Sequence, residues 1–143
     1  MMQQSTKKHN VKKLQISSVS SPKEIMTQQN LPYFLGISGN SVGAKALSMN
    51  IVAIPAGACA DPHYHEDYES AIYLLQGEVE TRYGENLEHS IINKAGDFIF
   101  IPPKLYHQPF NLSNSQQALA IVARNDPAET ENISHQVVNL HAS

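Results

Sequence analysis

Tryptophan is absent from this chain of 143 residues, cysteine occurs once, and charged residues make up only 16% of it. The single Cys59 cannot form a disulfide within the chain, so a cytoplasmic location is the simplest expectation. Arginine occurs only at Arg82 and Arg124, and the net charge is −3. Because a nucleic-acid-binding protein normally carries a basic face, we expect no nucleic-acid partner. No apolar run approaches the roughly 20 residues of a membrane span, so no membrane partner is expected.

The length is typical of one domain. Residues 1–30 are expected to form a flexible or arm-like N-terminal segment, because they are basic and polar and contain no acidic residue before Glu24. Within this segment Ser21 could cap a short helix with Pro22 in its first turn, ending before Pro32. Residues 31–143 are expected to form the single domain.

Proline and glycine interrupt the chain at short intervals, and the runs between them are rich in Val, Ile, Leu, Tyr and Phe. This pattern indicates an all-β sandwich or barrel. The strands are predicted near residues 45–54, 70–76, 78–83, 88–93, 97–101, 107–112, 117–124 and 135–140.

Two of these strands carry informative patterns. Residues 78–83 alternate between an apolar-rich face and a charged face, which is typical of a half-buried strand. In 97–101, Phe98 and Phe100 alternate with Ile99 and Ile101, so this strand is predicted to be buried on both faces. Gly77 separates two predicted strands and indicates a hairpin.

His63 and His65 are the most informative pair of side chains. On a strand, residues at i and i+2 point to the same face, so both imidazoles could share one metal ion. An isolated pair of this kind is a weak signal, and its surroundings therefore decide its meaning.

Those surroundings contain two spaced motifs. In the first, Gly57 is followed by five residues, His63-Tyr64-His65, three residues and Glu69, and then by Gly77. In the second, Gly96 is followed by five residues, Pro102-Pro103-Lys104, two residues, His107, three residues and Asn111. In this order and spacing the sequence resembles the cupin family over about residues 45–124.

The resemblance implies a cupin double-stranded β-helix, or jelly-roll barrel, with motifs at 57–77 and 96–111. It also implies one divalent metal ion (Fe, Mn, Ni or Zn) bound by His63, His65, Glu69 and His107. Glu69 is an open question, because seven residues rather than six separate it from Gly77. Counted back from Gly77, Ser70 takes the inward position, and Glu69 turns inward only if a β-bulge re-aims it. A site of three histidines is the alternative.

The second motif departs from the family pattern at Lys104, which replaces a glycine. If that glycine serves a turn with positive φ, Lys104 carries strain or the turn differs. Asn111 is expected to hold a turn through side-chain bonds to the backbone. A barrel interior lined by Ile72, Leu74 and Phe98 or Phe100 would keep the site dry.

Metal-binding cupins have many functions. We expect an enzyme acting on a small polar or carboxylate-bearing molecule at an open metal position, with Glu69 as a possible general base. The alternative is a non-catalytic metallo-cupin that binds or senses a small ligand. The resemblance also implies a homodimer, which would cover exposed sheet edges.

Overall fold

The computed structural model describes residues 14–128, and this part of the chain is nearly all β. It contains nine strands and one short helix, and the all-β prediction is confirmed. The elements are β1 (Lys23–Met26), β2 (Pro32–Ile37), α1 (Gly39–Val42), β3 (Ser48–Ile54), β4 (Ser70–Gln76), β5 (Glu78–Tyr83), β6 (His89–Lys94), β7 (Phe98–Ile101), β8 (His107–Asn111) and β9 (Ala118–Arg124).

The strands form two antiparallel sheets. The larger sheet has the order β1-β2-β3-β9-β4-β7, and the smaller one has the order β6-β5-β8. Isolated bridges from Cys59 to Phe110 and from His63 to His107 continue the smaller sheet beyond β8. β6 and β7 are both edge strands, and no ladder joins the two sheets between them.

The core lies between the sheets and follows from strand alternation. In β9, alternate side chains are buried from Ala118 to Arg124, so small and branched residues face inward. Leu74 in β4 and Val79 in β5 face the same core from the two sheets. Burying side chains of this size contributes about 1.5–3 kcal/mol each, which holds the sheets face to face.

The strands predicted between residues 45 and 124 are observed, with ends shifted by up to three residues. The face of β5 that carries Val79, Thr81 and Tyr83 is the more buried one, as its alternation predicted. Gly77 joins β4 to β5 with φ 96°, and a Cβ there would lie 3.0 Å from that of Ala118. The strand predicted at 135–140 lies outside the described residues.

The helix predicted after Ser21 is wrong, because Lys23–Met26 forms β1 instead. This segment pairs antiparallel with β2, with Lys23 opposite Leu35 and Met26 opposite Pro32. Ile25 packs against the core. Ladder bonds and this apolar contact outweigh a local capping signal, which is worth only about 1 kcal/mol.

The prediction that the 97–101 strand is buried on both faces is also wrong. β7 is the edge of the larger sheet, and its outward side chains Phe98 and Phe100 are 83% and 62% exposed. Ile99 and Ile101 line the cavity inside the sandwich, whereas Phe98 and Phe100 do not. No helix within residues 14–128 is long and apolar enough to cross a membrane.

Candidate metal centre

Three histidines meet inside the sandwich. His63, His65 and His107 are each less than 5% exposed, and one ligand atom from each lies within 4.8 Å of the others. Sequence reasoning named all three residues, and the structure brings them together.

Backbone pairing explains why they converge. His63 and His107 are a direct antiparallel pair, because the N–H of each donates to the carbonyl of the other, at 3.0 and 2.9 Å. Directly opposed residues project to the same side of a sheet, and the i+2 position of His65 does the same. The ring centroid of His63 therefore lies 4.5 Å from that of His107 and 5.0 Å from that of His65.

Hydrogen bonds at Nδ1 set the orientation of the three rings. Nδ1–H of His63 donates to the carbonyl of Asp61 at 2.7 Å, and Nδ1–H of His107 donates to the carbonyl of Leu105 at 2.8 Å. Nδ1 of His65 bonds the hydroxyl of Tyr68 at 2.9 Å. With each Nδ1 hydrogen-bonded in this way, Nε2 is the atom of each ring that could bind a metal ion.

The surroundings of His63 and His107 favour the neutral form of their imidazoles. The pKa of His63 is lowered to about 3, mainly by burial and also by the neighbouring His107. Burial is also the main cause that lowers the pKa of His107. A metal ion binds the neutral form of imidazole, so these two lowered pKa values favour metal binding near neutral pH.

The structure does not bring Glu69 to the three histidines, which corrects the prediction of Glu69 as the fourth ligand. Its side chain is exposed, and its N–H donates to Oδ1 of Asn125 at 3.1 Å. Ser70 takes the inward position, in register with Ile101 of β7. The Ser70 hydroxyl is buried, with no hydrogen-bond partner in the described range.

The extra residue before Gly77 is nevertheless absorbed by a bulge. The register between β4 and β9 shifts between Leu74 and Gln76, where two residues of β4 oppose one of β9. Both Leu75 and Gln76 are consequently exposed, whereas Ser70 and Leu74 keep their inward alternation. The bulge therefore comes too late in β4 to turn Glu69 inward.

The histidines line a cavity of about 80 Å³. Its walls include Ile72 and Leu74, as predicted, whereas Phe98 and Phe100 do not line it. Among the described residues that line the cavity, Arg124 is the one with a permanent charge and none is acidic.

Sequence analysis did not assign Arg124 to the site. Its Nη2 donates to the hydroxyl of Tyr33 at 2.8 Å, and its guanidinium lies 5.6 Å from the centre of the Tyr33 ring and 5.9 Å from that of Tyr68. Its positive charge also lowers the pKa of His63 and His107. The sequence does contain a signal for its inward position, because Arg124 continues the alternation of Ala120 and Val122 along β9.

The two remaining motif positions behave as predicted. Lys104 has φ 67°, so the replaced glycine does correspond to a left-handed turn, and its N–H donates to the carbonyl of His65. The Asn111 amide donates to the carbonyls of Ile54, Pro55 and Gln116 at 2.8–3.2 Å, and its Oδ1 accepts the N–H of Ser113. These contacts fix the loops on both sides of the histidines.

Comparison with known proteins agrees with this geometry. The profile of the family described as "Cupin domain" matches residues 50–123, which is more than half of the chain. A search of curated protein sequences finds no match.

Solved structures share the fold at low identity. The polyketide cyclase RemF from Streptomyces resistomycificus has a TM-score of 0.71 and 18% identity, covering 88% of this chain and 89% of its own. The Lactobacillus farciminis oxalate decarboxylase formate complex has a TM-score of 0.65, 19% identity and 78% coverage of this chain. A recombinant oxalate oxidase in complex with glycolate has a TM-score of 0.62, 22% identity and 76% coverage of this chain. This chain spans 33% of that decarboxylase chain and 56% of the oxidase chain.

Proposed function

We propose, on the premise that this chain belongs to the cupin family, that His63, His65 and His107 bind one divalent metal ion through their Nε2 atoms. The observation that carries the proposal is the convergence of three buried imidazoles whose Nδ1 atoms are hydrogen-bonded. Desolvated histidines packed only for stability would not need three ligand atoms within 4.8 Å of one another.

An ion held by three imidazoles supplies a Lewis acid with open coordination positions. Imidazole ligands suit Zn, Ni and Fe, whereas Mn prefers a site that includes carboxylate. With Glu69 exposed, we propose Zn, Ni or Fe ahead of Mn.

The ligand of this ion is proposed to be a small polar or carboxylate-bearing molecule on which the protein acts as an enzyme. A divalent ion with three neutral ligands and the nearby Arg124 leave positive charge in an apolar cavity, which an anion would compensate. In support, the similar folds named above include complexes with formate and glycolate.

The second candidate is a non-catalytic metallo-cupin that binds or senses a small ligand. One observation favours it: no carboxylate from residues 14–128 lines the cavity, and the possible general base Glu69 lies outside. An enzyme would then depend on the ion, on histidine or on tyrosine for proton transfer.

Turnover separates the two candidates. Untagged protein is loaded with Fe(II), Ni(II), Zn(II) or Mn(II) and mixed with oxo-acids, catechols, thiols and sugar phosphates. Conversion of one class by one metal form, lost in His107→Ala, supports the enzyme. Protection against heat unfolding by a compound that is never converted supports the binder.

We also propose a homodimer through the outer face of the larger sheet. Two adjacent cross-strand rows there contain no charged side chain: Met49-Ala123-Ala71-Phe100 and Ile51-Ile121-Tyr73-Phe98. Both phenylalanines are largely exposed. An uncharged face is best matched by another uncharged face, and a second copy offers one with twofold symmetry.

Sedimentation tests this dimer. Phe98→Glu with Phe100→Glu should convert a dimer to a monomer, because the charges would be desolvated at the interface. Ile92→Glu is the control, since Ile92 is exposed on β6 of the smaller sheet. A wild-type monomer, or a dimer that survives the double substitution, would refute the interface. The absence of nucleic-acid and membrane partners and the cytoplasmic location remain predictions.

A further inference from the structure

A groove lies where the two sheets part, between the edge strands β6 and β7. Its volume is about 320 Å³. Ile91 and Tyr83 line it from the smaller sheet, Ile99 lines it from β7, and Leu105 lines it from the loop before β8.

The groove leads to the metal centre. Thr81, Ile99, Ile101 and His107 line both the groove and the cavity that contains the histidines. A molecule lying in the groove would therefore reach the ring of His107.

The walls of the groove are uncharged and mostly apolar. Within the described range, none of its lining residues is Asp, Glu, Lys or Arg. Ile91 pairs with Thr81 of β5 and lies on the inner face of the smaller sheet, yet it is 48% exposed because no strand covers it there. An apolar side chain left open beside a metal centre is typical of a ligand-binding wall.

We propose that this groove binds the apolar body of a ligand whose oxygen-donor end coordinates the metal ion at the three histidines. The inference rests on the proposed metal site and narrows its ligands to amphipathic molecules. An apolar cavity of about 150 Å³ holds a benzene molecule. The groove volume of about 320 Å³ is therefore suited to a body of about two fused rings.

Hydroxamic acids test this in the full-length protein loaded with Ni(II), because they chelate metals through two oxygens whatever body they carry. Binding of acetohydroxamic acid and of 2-naphthohydroxamic acid is measured by calorimetry. We expect the naphthyl compound to bind at least about tenfold more tightly, from burial of its rings.

Neighbouring residues of β6 provide a matched pair of variants. Ile91→Asp should reduce the tenfold preference to nearly none, since a charge would then face the rings. Ile92→Asp should keep the preference, because Ile92 is similarly exposed on the opposite face of β6. Ile91→Ser, which should halve the preference or more, serves if Ile91→Asp does not fold.

The outcomes are distinguishable. Equal affinity of both compounds for the wild type, or an equal loss of the naphthyl preference in the Ile91 and Ile92 variants, would refute ligand binding in the groove. The proposed metal site would be unaffected by either result. Failure of acetohydroxamic acid to bind the Ni(II)-loaded protein would overturn the proposed metal site and the groove together.

Discussion

Burying three imidazoles in an apolar cavity makes the metal-free protein sensitive to acid. The pKa of His63 is about 3 in the folded chain, mainly because of burial, and about 6.5 in an unfolded chain. Between these values the unfolded state binds a proton that the folded state does not. The free energy of unfolding therefore falls as the pH decreases from about 6.5 towards 3, and His107 adds to the fall.

The slope expected from His63 is at most about 1.4 kcal/mol per pH unit. Urea denaturation of metal-free protein between about pH 7 and pH 5 measures it. His63→Gln should flatten the dependence, whereas His89→Gln, at an exposed site outside the cluster, should keep the wild-type slope. Equal slopes in the wild type and His63→Gln would contradict the assigned burial effect.

Asn111 has the largest expected effect on stability among the polar motif residues. Asn111→Ala removes four hydrogen bonds and leaves the buried carbonyl of Ile54 without its donor, so we expect a loss of about 2–3 kcal/mol. Chemical denaturation measures this loss. Asn86→Ala, in an exposed turn, should change stability by less than about 0.5 kcal/mol. A similarly small effect of Asn111→Ala would show that the amide network is dispensable.

At the scale of single residues, the sequence was informative where spacing constrained chemistry. The three histidines and Asn111 could be assigned because their positions within two motifs fix which face they occupy. The direction of the Glu69 side chain could not be predicted, because a β-bulge anywhere along β4 can accommodate one inserted residue. In the structure the bulge lies between Leu74 and Gln76. Arg124 was missed although it continues the inward alternation of Ala120 and Val122 along β9.

At the scale of elements, the turn before β8 links both motifs. Lys104 holds a left-handed conformation at φ 67°, and its N–H bonds the carbonyl of His65. For a residue with a Cβ, the left-handed conformation costs about 1–2 kcal/mol of folding free energy. Glycine avoids this steric cost, but its more flexible unfolded state lowers stability by about 0.4–1 kcal/mol.

Lys104→Gly should therefore stabilise the protein by about 0.5–1 kcal/mol. Thermal unfolding measures the change. Lys94→Gly, at the end of β6, should instead destabilise it, since glycine weakens a strand. Destabilisation by Lys104→Gly would show that the lysine side chain contributes more than the turn costs.

The strands of the central motif region could be predicted because Gly and Pro mark their ends and their apolar and polar residues alternate clearly. β1 and β2 were missed, because their pairing depends on contacts between segments that local propensity does not encode. The exposure of β7 was misjudged for a related reason: an apolar sequence does not show whether a strand is central or at an edge.

At the scale of the whole molecule, the two sheets enclose the histidines on one side and part between β6 and β7 on the other. The same architecture thus buries the three imidazoles and leaves them a route to solvent through the groove.

Metal affinity of the untagged protein tests the central claim most directly, using wild type, His107→Ala and Glu69→Gln in competition with a chromogenic chelator. We expect one ion per chain in the wild type, a loss of at least about 100-fold in His107→Ala, and a change of less than about twofold in Glu69→Gln. A wild type that binds no ion, or a Glu69→Gln variant that loses as much affinity as His107→Ala, would contradict a site built from His63, His65 and His107 alone.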